Sequence, residues 1–305
     1  MEGLIVKSTG SWYDVKIGAS YMKGRLRGKF RMKGLKTTNP IAVGDVVTCE
    51  WEDQGGNTVV ITDIIRRDNY FIRKSTRASA QHHIVASNLD QALLICTLRK
   101  PRTPLGFIDR FLVNTASFQI PTRLIFNKVD ILSAQQLEKL DELIATYENI
   151  GYPCHKISVA KQQGLECLPD LLENKTTLVS GHSGVGKSTL LNHLNPSLEL
   201  ATDDISHQTE KGRHTTTYAQ MFFLDDKTAV IDTPGIKEIG LVNMEKEEIS
   251  HYFPEMRPYL NDCKFHNCTH THEPGCAVKE AVAAGLIPES RYVNYMHMLE
   301  DDEVK

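Results

Sequence analysis

Residues Gly181-His182-Ser183-Gly184-Val185-Gly186-Lys187-Ser188 carry the spacing GxxxxGK[ST], set between the apolar stretch TTLVS and the helical stretch TLLNHL. That pattern and context describe a loop that binds phosphate groups. Its glycines let backbone N–H groups and a helix N-terminus face the anion without obstruction. In such a loop Lys187 reaches the β- and γ-phosphates, the Ser188 hydroxyl ligates Mg²⁺, and Thr189 lies near the α-phosphate. Downstream, KTAVIDTPG puts Asp232 at the end of an apolar strand, where a carboxylate can hold Mg²⁺. Gly235 follows with a backbone N–H available to the γ-phosphate. Between them lies the polar stretch Gly212-Arg213-His214-Thr215-Thr216-Thr217. Thr216 is the first choice for a further Mg²⁺ ligand, and Thr215 the second. Ile236 stands where many GTPases carry a glutamine that orients water. Another group must position that water: His214, or an Arg or K⁺ supplied with a partner.

Asn127-Lys128-Val129-Asp130 follows the apolar stretch TRLIF. Asp130 can accept from the N1–H and exocyclic amine of guanine, a donor pair that adenine lacks. Asn127 braces the loop and the base, and the stem of Lys128 covers the base. Lys156-Ile157-Ser158-Val159-Ala160-Lys161 supplies a second base-contacting loop, with Ser158 supporting it and the Val159 N–H directed at the guanine oxygen. Ordinary GTPases place the phosphate loop first. Here the order is NKVD, SVAK, GHSGVGKS, GRHTTT, DTPG, a circular permutation that a compact sheet with surface termini tolerates.

Past the last of these motifs, Cys263, Cys268, His270 and Cys276 fall within fourteen positions. Three thiols and an imidazole make a closed tetrahedral zinc shell, which favours structural over catalytic use. His266 and His272 compete for the same role. Cys49, Cys96, Cys154 and Cys167 stand apart in the sequence, as small buried hydrophobes do. Crowding of only some of the seven cysteines favours a metal site in a reducing compartment over a disulfide framework.

These motifs need elements to hold them. The first seventy residues read as five short strands, GLIVKS, WYDVKIG, YMKGRLRGKF, VGDVVTCEW and NTVVITDII, separated by glycine and polar turns. This is an all-β OB-fold barrel. From about Asn88 the texture becomes buried strands alternating with amphipathic helices, an α/β sheet of mostly parallel strands with ligands at their carboxyl ends. After Gly240 the chain reads as helical and ends in the Cys/His cluster. The expected domains are 1–70, an RNA-binding or ribosome-binding barrel, 71–240, the permuted GTPase domain, and 241–305, a helical zinc-binding domain.

The chain has 305 residues, 41% hydrophobic and 24% charged, as an ordinary globular protein does. Neither the first residues nor any later run approaches the ~20 apolar residues of a membrane span. The expectation is a cytoplasmic monomer without membrane contact. A net charge of −3 averages over opposite ends. Lys7, Lys16, Lys23, Arg25, Arg27, Lys29, Arg31, Lys33 and Lys36 face only Glu2 and Asp14, whereas Glu300 to Glu303 is acidic. A basic barrel suits nucleic acid.

Together the basic barrel, the permuted motifs and Cys-x₄-Cys-x-His-x₅-Cys closely resemble the bacterial ribosome small subunit-dependent GTPase A family over essentially the whole chain. GRHTTT, DTPGIKEIG and CKFHNCTHTHEPGCAVK carry the likeness nearly residue for residue. The resemblance implies a GTP phosphohydrolase acting late in 30S ribosomal subunit maturation. The subunit and its 16S rRNA stimulate hydrolysis, and hydrolysis to GDP releases the factor. It also implies Mg²⁺ with the nucleotide and one Zn²⁺ per chain. Its nucleotide residues fall on Asn127, Lys128, Asp130 and Gly181 to Thr189, and its zinc ligands on the four named. Two rivals stand beside it: an ATP-dependent P-loop enzyme, and a zinc-containing RNA-binding assembly protein whose nucleotide is structural.

Overall fold

The computed structural model describes residues 1–27, 40–52, 57–74, 82–200, 218–233, 239–241 and 244–300. Strands β1 (Glu2–Ser8), β2 (Tyr13–Ile17), β3 (Ser20–Leu26), β4 (Val46–Trp51) and β5 (Thr58–Ile64) pair in the order β1-β2-β3-β5-β4. β4 returns to β1 and closes the barrel; only β3 and β5 run parallel. Alternation along each strand sends one set of side chains inward. Ile5, Tyr13, Val15, Val47, Cys49, Val59 and Ile61 form the barrel's own core.

Two further strands, β6 (Tyr70–Lys74) and β7 (His82–Ser87), make an antiparallel pair. Then follow β8 (Gln91–Cys96), α1 (Leu105–Ser117), β9 (Thr122–Phe126), α2 (Ala134–Asn149), β10 (Cys154–Lys156), α3 (Leu168–Leu172), β11 (Thr176–Gly181), α4 (Lys187–Leu194), β12 (Gln220–Phe223) and β13 (Ala229–Asp232). Their order is β10-β9-β8-β11-β13-β12, parallel except at β12. Every residue of β8 is buried because helices cover both faces. Leu94 and Cys96 meet α1 and α2, whereas Leu93 and Ile95 join the opposite core with Leu190 and Leu191 of α4. Helix α2 starts at a capping box, Ser133 accepting from the Gln136 N–H and Gln136 accepting from the Ser133 N–H.

The barrel and this sheet are continuous. β1 pairs antiparallel with β12 at Lys7 and Gln220, which makes eleven strands in one sheet. Beneath the junction, buried Asp45 accepts from Arg67, from the Ser87 hydroxyl and from the Ala42 N–H.

The C-terminal part holds α5 (Lys246–Ile249), α6 (Ala277–Ala283) and α7 (Glu289–Leu299). Leu241, Met244, Phe253, Met256, Val278, Tyr295 and Met298 form its core, into which Val113 of α1 inserts. Among the described residues no helix is long and apolar enough to cross a membrane.

Candidate active site and metal centre

The carboxyl ends of β11, β9 and β13 bring three of the sequence motifs together. β11 runs into the loop at Gly181 and α4 leaves it at Lys187. Gly181 adopts φ +148°, and a Cβ there would lie 2.5 Å from the Ile95 carbonyl oxygen. Gly186 adopts φ +99°, and a Cβ would strike the Asn127 amide at 2.4 Å. The second glycine is therefore required by the other motif as well as by its own turn.

The Asn127 amide passes over Gly186 and donates to the Val185 carbonyl at 2.9 Å. Lys128, in the left-handed region at φ +64°, donates from Nζ to Gly184 at 2.6 Å and to Lys100 at 2.8 Å. Asp130 stays exposed in a 3-10 turn and accepts from the Ser158 hydroxyl at 2.5 Å. Ser158 in turn accepts from the Lys161 N–H, and the Val159 N–H donates to Asn127 Oδ1 at 3.2 Å. A contact between that N–H and a guanine oxygen has to share or replace this bond. The 127–130 loop, more than fifty residues from the phosphate-loop carbonyls it bonds, joins these and the 158–161 loop in one hydrogen-bonded corner.

On the phosphate side, Lys187 Nζ donates to the carbonyls of Gly181 and His182 at 2.7 and 2.9 Å. Ser183 and Thr189 are exposed, and Ser188 is half-buried in the first turn of α4. Asp232 is buried at the end of β13, in register with Val179 of β11, two residues before Gly181. The neighbouring Thr233 hydroxyl donates to the Val179 carbonyl. The donor set of Ser188 and Asp232 fits Mg²⁺, a hard cation that takes oxygen ligands. His214, Thr215, Thr216 and Gly235 lie outside the described residues. The His182 ring rests on Phe107 of α1, ring centroids 3.9 Å apart. Burial, and then the charge of Lys187, lower its pKa and keep the imidazole neutral.

The four metal-ligand candidates converge too. One ligand atom from each of Cys263, Cys268, His270 and Cys276 lies within 4.8 Å of the others. Cys263 Sγ and Cys276 Sγ are 3.9 Å apart, and His270 Nδ1 stands 3.5 and 3.4 Å from them. Bonds of about 2.0–2.3 Å in a tetrahedron place ligand atoms about 3.5–3.8 Å apart, so the cluster fits zinc. Burial pushes the Cys268 thiol up to about 12 and the Cys276 thiol upward. Thiolates together in such a pocket need a cation beside them. Glu273 holds the loop by accepting from Thr269 and Thr271; these bonds outweigh its burial and bring its pKa down to about 2. His266 and His272 are exposed and outside the cluster.

On the barrel, three of the cations that suggested a nucleic-acid face are paired. Lys23 meets Asp14, Arg25 meets Glu52 and Arg27 meets Glu50. Lys29, Arg31, Lys33 and Lys36 lie outside the described residues.

Sequence reasoning missed a buried charge cluster behind the site. Arg291 of α7 pairs with Asp109 of α1 and with Glu255, each at 2.6 Å. Asp109 also accepts from the Tyr147 hydroxyl at 2.7 Å and from the Asn294 amide at 2.5 Å. Burial opposes the Arg291 charge, but the two carboxylates outweigh it and its pKa rises. One signal was available: Asp109 sits on the apolar stripe of FIDRFLV, where a carboxylate needs a partner.

Residues 64–242 match the family model described as RsgA GTPase. The chain belongs to that family. Residues 2–59 match a second model, the RsgA N-terminal domain. A Bacteroides thetaiotaomicron relative, small ribosomal subunit biogenesis GTPase RsgA 2, is 50% identical over 304 residues, covering 99% of this chain and 97% of its own. A Flavobacterium psychrophilum relative, small ribosomal subunit biogenesis GTPase RsgA, is 49% identical over 305 residues, covering 99% and 94%. The crystal structure of YjeQ from Thermotoga maritima superposes with a TM-score of 0.76 at 36% identity, over 98% of this chain and 97% of that one. That of YloQ, a circularly permuted GTPase, gives 0.69 at 29% identity, over 98% and 93%. As a member of the RsgA family the chain is a GTP-hydrolysing enzyme built on a permuted GTPase fold.

Proposed function

We propose that this GTPase acts on the 30S ribosomal subunit late in its maturation, that the subunit and its 16S rRNA stimulate hydrolysis, and that hydrolysis to GDP and phosphate releases it. The observation that carries the nucleotide part is the corner where Asn127 and Lys128 bond to the Val185 and Gly184 carbonyls. There Asp130 reads the guanine edge with the oxygen that Ser158 leaves free, and Ser158 and Val159 frame the base. Residues Gly181, His182, Ser183, Gly184, Val185 and Gly186 wrap the phosphates with their backbone, and Thr189 lies near the α-phosphate.

Water attacks the γ-phosphorus and the bond to the β–γ bridging oxygen breaks. Charge growing on that oxygen and on the γ-phosphate is countered by Lys187 and by the loop N–H groups. Ser188, Asp232 and Thr216 would hold Mg²⁺, which would neutralise phosphate charge. Gly235 supplies an N–H to the γ-phosphate, and His214 is our choice for orienting the water, with a K⁺ ion or an arginine from the partner as the alternative. Cys263, Cys268, His270 and Cys276 hold one Zn²⁺ that organises the C-terminal unit. We assign the barrel to 1–70, the GTPase domain to 71–240 and the zinc domain to 241–305, in a monomer of the cytoplasm. The separate core of the barrel and the convergence of the four ligands support this division.

Turnover measured with and without purified 30S subunits tests the proposal. Stimulation by mature or late-precursor subunits is the expected result, and an unchanged rate would remove the ribosomal assignment while leaving the GTPase.

A further inference from the structure

The strand order puts α1 between the nucleotide corner and the zinc-bearing unit, and its first turn touches both. Phe107, buried in that turn, carries the His182 ring of the phosphate loop at 3.9 Å. One residue earlier, Gly106 faces α7 so closely that a Cβ on it would lie 3.4 Å from Asn294 Oδ1. One turn of helix further, Asp109 accepts from Asn294 and pairs with Arg291. The same helix is tied to the Cys/His loop: the Tyr292 hydroxyl donates to the His270 carbonyl at 2.6 Å and that of Tyr295, one turn beyond Arg291, to the Thr269 carbonyl at 2.7 Å.

We propose that α7 positions the phosphate loop through the first turn of α1. Asn294 and Arg291 fix where that turn sits, and Phe107 transmits the position to His182. This rests on residues 181–188 being a nucleotide phosphate loop. Arg291, Asn294 and Phe107 are positioning residues, none of them touching the nucleotide. A loop whose N–H groups must converge on phosphate oxygens is sensitive to small shifts of its backing. The backing here is a ring packed against a ring at a tilt of 46°, on a helix that α7 holds. The C-terminal unit is thereby part of the nucleotide site's support.

The test uses the full chain and a fluorescent GDP analogue. Phe107→Leu should weaken binding about tenfold and Asn294→Ala about threefold, values in the range for altered packing and one lost buried hydrogen bond. Val293→Ala, on the exposed side of the same helix, should leave affinity unchanged. Residues acting along one route are non-additive, so the double variant should bind no more than about twofold worse than Phe107→Leu alone. A purely structural role would lower the melting temperature of the variants and leave the affinity of the folded protein intact; that result overturns the proposal, as does a double variant equal to the product of the singles. Amide hydrogen exchange supplies a second reading on Asn294→Ala, where exchange at 183–187 should speed up several-fold, and no change would count against the proposal. Failure of the unaltered protein to bind GDP would instead overturn the nucleotide site itself.

Discussion

The molecule has two junctions, and both bury an arginine against carboxylate, but they are held by different kinds of bond. At the barrel, β1 pairs with β12, Val43 bridges to Ala86 and the Ser87 N–H donates to the Val43 carbonyl, all through the backbone. Asp45 with Arg67 lies under that ladder. At the C-terminal unit, Arg291, Asn294 and Tyr147 gather on Asp109, Arg291 pairs with Glu255 as well, and the Asn114 amide donates to the Gly240 carbonyl. There each of these polar links uses a side chain. Backbone pairing is indifferent to side-chain identity, whereas a side-chain junction depends on a few residues. The teaching is that the barrel is built into the sheet while the unit that carries the Cys/His cluster is clamped onto it.

Single substitutions rank the two junctions. Arg291→Met should have the largest effect, because it leaves Asp109 and Glu255 buried side by side without a cation; a loss of about 3–5 kcal/mol is expected in chemical denaturation. Asp45→Asn should cost less, about 2–3 kcal/mol, since Arg67 keeps the Pro40 carbonyl and the ladder remains. If the Asp45 variant proved the more damaging, the contrast between a built-in and a clamped unit would fail. Tyr147→Phe removes one hydrogen bond to Asp109 and should cost about 1 kcal/mol by the same measurement. Lys156→Ala breaks an exposed pair with Asp141 and should change stability by no more than about 0.5 kcal/mol. A larger value there would mean that exposed pairs contribute more than the comparison assumes.

What the sequence revealed was local. The barrel strands were readable from period-two alternation between glycine turns, and α1 and α2 from their apolar spacing. The chemistry of the phosphate loop lies in eight consecutive residues, and that of the Cys/His cluster in fourteen positions. Arg291 was illegible because its partners lie 36 and 182 residues away and the helix ESRYVNYMHML presents it as one polar residue among several. The packing of Phe107 against His182 was hidden for the same reason, a contact set by tertiary packing. The charge count of the barrel overstated its basic face, because the sequence does not show which strands place Asp14, Glu50 and Glu52 beside the cations. His266 and His272 competed with His270 in the sequence; in the fold both are exposed and outside the cluster, whereas His270 is buried in it.

The central claim is that the permuted motifs build a guanine-specific site, and nucleotide competition at Asp130 tests it most directly. The carboxylate accepts from two donors of guanine, so the unaltered protein should bind GTP far more tightly than ATP or XTP. Asp130→Asn offers a donor where one acceptor stood, which matches the extra oxygen of xanthine, and preference should move from GTP to XTP. Equal binding of ATP and GTP by the unaltered protein, or an Asp130→Asn variant that still prefers GTP, would contradict the account.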